Sequence, residues 1–113
     1  MQELLNFLNN SVTPFQAVKE MEKMLLSEKF TKIDPSNIQT LEEGGKYYLI
    51  KDETSLVAFK MGLKQHFNGF NIVATHTDSP TLKIKPLARI TAREYEILNV
   101  EVYGGPIIST LFD

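Results

Sequence analysis

The chain has 113 residues, enough for one small domain with a core of its own. Its net charge is −2, with 12 basic and 14 acidic residues interspersed, which argues against nucleic acid or an anionic membrane as a partner. It contains no cysteine, so disulfides and thiolate zinc sites are excluded, and any metal must be held by His and carboxylates. The first ten residues, Met-Gln-Glu-Leu-Leu-Asn-Phe-Leu-Asn-Asn, lack the basic start and long apolar core of a signal peptide. No run reaches transmembrane length. A soluble, cytoplasmic protein is the expectation.

In chain order, Glu3–Asn9 predicts a short helix with Leu4, Leu5, Phe7 and Leu8 as its apolar side. Thr13-Pro14-Phe15-Gln16 is a helix start: Thr13 as N-cap, Pro14 at the first helical position, Gln16 completing a capping box. That helix is expected to run to about Lys29, with Phe15, Val18, Met21, Leu25 and Leu26 facing the core. Phe30–Ile33 reads as a short extended link and Asp34-Pro35-Ser36-Asn37 as a turn. Gly44-Gly45 is a turn before Lys46–Lys51, which is rich in strand formers. Asp52-Glu53-Thr54 then makes a tight connection to a second strand, Ser55–Met61, giving an antiparallel hairpin. Gly62–Gly69 reads as a polar loop in which His66, with no acidic neighbour in sequence, is a surface residue and not a ligand.

The most informative stretch is Phe70–Pro86. Ile72-Val73-Ala74 reads as a strand buried on both faces, although periodicity alone does not exclude a short buried helix. It stops at His76-Thr77-Asp78-Ser79-Pro80. On a strand, side-chain direction has period two, so His76 and Asp78 would point to the same side. Ligands of open α/β sheets gather beyond the carboxyl ends of strands. His76 is therefore a candidate zinc ligand, and Asp78 a candidate to fix its tautomer and orientation. The competing reading makes the pair a strand cap bonded to nearby backbone. Leu82–Pro86 alternates apolar and polar, predicting a half-exposed strand stopped by Pro86, with Lys83 and Lys85 on its solvated face. Glu96–Tyr103 has strand character, and Gly104-Gly105-Pro106 breaks it. The final stretch, Ser109–Asp113, is apolar and uncapped, which suggests a truncated chain whose exposed sheet edges would self-associate.

Four segments together resemble the M18 family of zinc aminopeptidases, the aspartyl-aminopeptidase type. They are Ser11–Val18; Glu43–Tyr48 with Ser55–Phe59; Ala74–Pro80 with Lys83–Pro86; and Val100–Pro106 with Thr110–Asp113. The third is similar to the family's His-Thr-Asp-Ser-Pro metal motif. Gln16 stands where the family usually has His, Pro106 where many members have a third Gly, and Ile108 and Leu111 where tryptophans are usual; these departures suggest a bacterial-type branch.

The resemblance implies a fold, a site and an assembly. The fold would be α/β, the N-terminal part of a mixed-sheet zinc-exopeptidase domain in residues 1–86, with the start of an inserted β-rich oligomerisation domain in residues 87–113. Family members use two neighbouring zinc ions to hydrolyse an N-terminal residue, often Asp or Glu, from a peptide. Carried over by position, His76 would ligate one zinc and Asp78 would orient it. The remaining ligands and the general base belong to sequence beyond residue 113, so the fragment itself is expected to be inactive. The partners implied are a peptide substrate and further copies of the same protein. The alternative is a stand-alone, non-catalytic α/β interaction domain, offering the hairpin and the Lys83–Lys85 strand for strand addition.

Overall fold

The computed structural model describes residues 1–36, 41–63, 69–107 and 109. Two helices precede five strands: α1 (Gln2–Asn10), α2 (Pro14–Ser27), β1 (Thr31–Lys32), β2 (Lys46–Lys51), β3 (Ser55–Lys60), β4 (Thr81–Ala92) and β5 (Tyr95–Tyr103). The architecture is mixed α/β, as the sequence implies. Two compact units divide the chain, Met1–Thr77 and Asp78–Asp113.

In the first unit, α2 begins as its sequence predicts. Thr13 is extended (φ −128°, ψ 161°), its hydroxyl accepts from the Gln16 N–H at 3.3 Å, and Pro14 follows at the first helical position. The helix ends sooner than expected, at Ser27. Lys29 adopts a left-handed conformation (φ 63°), and the N–H groups of Lys29 and Phe30 donate to the carbonyls of Leu26 and Leu25 at 3.0 and 2.9 Å. This is a Schellman ending with lysine where glycine is usual, which is why no sequence signal marked the stop. Lys46 adds a cation there, its ammonium donating to the Glu28 carbonyl at 3.1 Å.

The expected apolar face of α2 is partly observed. Val18 is buried and Met21 and Leu25 half-buried, but Phe15 and Leu26 are exposed, while Ala17 is buried in their place. Opposite lies a three-stranded sheet in the order β1-β2-β3. β1 pairs in parallel with β2, and β2 in antiparallel with β3 from Lys46↔Lys60 to Lys51↔Ser55. The expected antiparallel hairpin thus forms. Cross-strand Tyr47 and Phe59 bring their rings to 5.8 Å, a favourable aromatic pair.

Helix and sheet are tied by one carboxylate. The buried Tyr48 hydroxyl donates to Glu22 Oε1 at 2.9 Å, and the Lys32 ammonium donates to the same oxygen at 2.8 Å. The Lys32 hydrogen bond holds the Glu22 carboxyl below its ordinary value, and Glu22 in turn raises Lys32. Tyr48 is pushed up, first by burial and then by its bond to Glu22.

The sequence expectation fails at Ile72-Val73-Ala74. Residues 71–76 have no regular secondary structure, and Ile72 and Val73 are 83% and 92% exposed. A strand buried on both faces needs a hydrogen-bonded neighbour and apolar cover, and no described strand of this chain pairs with it.

The second unit is a two-stranded antiparallel ribbon of β4 and β5. Pro86 does not stop β4. The register runs Thr81↔Tyr103 to Ile84↔Val100, then resumes at Arg89↔Leu98 and ends at Ala92↔Tyr95. Residues 85–88 are taken up in the irregularity between, where a proline's missing N–H costs no ladder bond.

Two outcomes follow for the first unit. Replacing Glu22 with Ala should cost about 1 kcal/mol in urea denaturation, because the Tyr48 hydroxyl loses its acceptor while part of the site stays wet. Because Glu22 has a depressed folded-state pKa, its contribution is present above the unfolded carboxylate value. It is lost as pH falls through the folded one, so Glu22→Gln should remove this part of the acid sensitivity. Lys29→Gly should raise stability by about 1 kcal/mol by relieving the left-handed lysine, whereas Lys29→Val should lower it.

Candidate metal-binding edge

His76 is exposed, at the end of the irregular 71–76 segment. Since that segment is not a strand here, side-chain alternation does not set its direction. The segment from Phe70 to Thr77 forms one wall of an apolar cleft of about 560 Å³, whose other wall is Leu56–Phe59 of β3 and whose lining includes Met21 of α2. Phe70 stands edge-on to Phe59, with ring centroids 6.5 Å apart.

Asp78 belongs to the ribbon unit. Its carboxylate Oδ2 accepts from the Tyr103 hydroxyl at 2.7 Å. That bond raises the Tyr103 phenol above its ordinary value, with the Asp78 charge adding to it. Next to it, Gly104 takes a positive φ of 77°, and a β-carbon there would sit 3.4 Å from Pro80 Cα. Glycine thus lets the end of β5 lie close against the start of β4. The hydroxyl bond and this close approach fasten the open ends of the ribbon together.

Tyr103 is not among the site residues expected from the sequence, although it lies in the Val100–Pro106 segment. Its partnership with Asp78 follows from the Thr81↔Tyr103 register, which sequence spacing would reveal only once β4 and β5 were recognised as one hairpin. His66 lies outside the described residues.

Zinc sites need three or four protein donors, and among the described residues no group of three His, Cys, Asp or Glu side chains comes together. The donors among the described residues do not by themselves fit a zinc ion. The His-Thr-Asp segment supplies one imidazole and one carboxylate, and the carboxylate is already bonded to Tyr103.

Residues 7–113 match the family model described as Aminopeptidase I zinc metalloprotease (M18). The chain belongs to the M18 family. This M18 chain is 43% identical over 98% of its length to the Probable M18 family aminopeptidase 2 of Clostridium novyi (strain NT), of which it covers 26%. It is 40% identical over 98% of its length to Aspartyl aminopeptidase 1 of Schizosaccharomyces pombe, of which it covers 24%. It thus spans about a quarter of the length of the curated relatives it matches.

Among solved structures, the cryo-EM structure of the Ape4 and Nbr1 complex aligns with a TM-score of 0.78 and 38% identity, over 96% of this chain and 21% of the other. The structure of Chaetomium thermophilum mApe1 gives 0.71 and 29%, over 90% and 24%. The M18 fold of this segment is thereby established, with the mixed α/β character read from its sequence.

The Tyr103–Asp78 bond has a direct readout. The NMR signal of the Tyr103 ring should titrate above the ordinary phenol range in the native chain and move back toward it in Asp78→Asn. An unchanged titration would show that the hydroxyl does not depend on that carboxylate.

Proposed function

We propose that this chain is the N-terminal segment of a cytoplasmic, zinc-dependent M18 aminopeptidase that removes N-terminal residues, acidic ones among them, from peptides. The observation that supports this reading is the family match across residues 7–113, with His76-Thr77-Asp78 inside it. His76 is the proposed ligand to one of two zinc ions, and Asp78 the group that orients it. A zinc ion held by His76 together with donors from elsewhere would supply Lewis-acid chemistry for peptide hydrolysis. That chemistry needs donors this stretch does not bring together, so the remaining ligands and the general base come from the rest of the polypeptide, and the 113-residue chain alone is inactive.

In the same reading, residues 1–86 belong to the peptidase domain and 87–113 open an inserted domain through which copies of the protein assemble. That boundary falls within β4, at its irregularity. No described helix is long and apolar enough to cross a membrane.

The test uses the full-length gene product with aspartyl, glutamyl and leucyl p-nitroanilides, together with zinc content by atomic absorption. His76→Ala should lower both bound zinc and turnover. Asp78→Asn should lower zinc affinity or activity about 10- to 100-fold, the usual cost of losing an orienting partner. Turnover by the 113-residue chain alone, or full zinc content in His76→Ala, would defeat the assignment.

A further inference from the structure

The hydroxyl of Tyr103 and the carboxylate of Asp78 meet at the open end of the β4–β5 ribbon, where the hydroxyl donates to Oδ2 at 2.7 Å. A bond from a hydroxyl to an ionised carboxylate is roughly twice as strong as one between neutral groups. The backbone sets both partners. Tyr103 pairs with Thr81 in the ladder, and Thr81 follows Asp78 closely in sequence. Gly104, beside Tyr103, comes so near Pro80 that a β-carbon there would lie 3.4 Å from Pro80 Cα. Donor and acceptor are thus each next to a cross-strand contact that holds them.

This bond does more than the ribbon needs. Closing the end of a hairpin takes no charge, and the ladder and the Gly104 approach already bring the strands together. A carboxylate does need outside help to keep its plane. The terminal torsion of an aspartate is broad and roughly two-fold, so its rotamer leaves the oxygens poorly fixed. A hydrogen bond to one oxygen fixes that plane. Tyr103 is itself 44% exposed, so its ring adds little burial, and what it brings to this place is its hydroxyl.

We propose that Tyr103 is a positioning residue for the hydrolytic reaction, its hydroxyl holding the Asp78 carboxylate in the plane from which it orients His76. It acts through Asp78 and not on the substrate. The assignment rests on the proposed role of Asp78 beside His76. Phenylalanine at 103 would keep the ring and the strand and lose only the hold on the carboxylate.

The experiment uses the full-length gene product carrying Tyr103→Phe, Asp78→Asn or His76→Ala. Zinc dissociation is followed by chelator competition, turnover with aspartyl p-nitroanilide, and ribbon order by amide exchange along β4 and β5. Tyr103→Phe should weaken zinc binding and lower kcat about 3- to 10-fold, with KM within about twofold; this is less than Asp78→Asn, because the carboxylate stays and only its anchor is lost. Tyr103→Leu, which also lacks the hydroxyl, should do the same. Added to Asp78→Ala, Tyr103→Phe should cost nothing more, and a further loss of about tenfold there would show that it acts elsewhere and overturn the proposal. A residue that only fastens the ribbon gives faster amide exchange at its open end with zinc affinity and kcat unchanged. That result, with Asp78→Asn still impaired, would overturn the role of Tyr103 alone. Full zinc content in His76→Ala would instead remove the reading beneath it, and the proposal with it.

Discussion

The Glu22 carboxylate is the point at which the helix and the sheet of the first unit are joined. It sits on α2 and accepts from Tyr48 of β2 and Lys32 of β1, so one oxygen joins the helix to two strands. Charge-assisted bonds of this kind are directional, and they fix where α2 crosses the sheet more sharply than apolar packing does. The packing itself is thin: among the described residues, Ala17, Val18 and Tyr48 form the buried apolar core. With so little burial, a misplaced α2 would have few other contacts to correct it.

The second unit is organised by a different constraint. A two-stranded ribbon has no third strand to hold its register and is marginal in water. Here the ends are secured by the Tyr103–Asp78 hydrogen bond and by the approach of Gly104 to Pro80. Asp78 thus serves the ribbon's closure. Leu82, Ile84, Ile97 and Val102 are exposed along the ribbon.

The boundary between the two units falls inside the His-Thr-Asp segment. The His-Thr-Asp segment lies where the described secondary structure lapses, between β3 and β4.

Local rules were legible in the sequence wherever the physics is local. Thr13 and Pro14 mark the start of α2 because capping involves atoms only three residues apart. The β2–β3 hairpin is readable because a three-residue connection leaves little freedom of register. The His-Thr-Asp motif was legible through its resemblance to a family, not through its spacing. What the sequence did not reveal depends on partners far along the chain. Lys29 is a local exception, ending the helix in a left-handed conformation without the glycine that would have marked the stop. Pro86 lies inside a strand because the ladder can skip it, and Tyr103 reaches Asp78 because β4 and β5 pair. Residues 72–74 carry the composition of a buried strand, but burial is a property of what surrounds a segment. Composition alone determines that such a strand is wanted, and only the tertiary structure decides whether its neighbours are there to cover it.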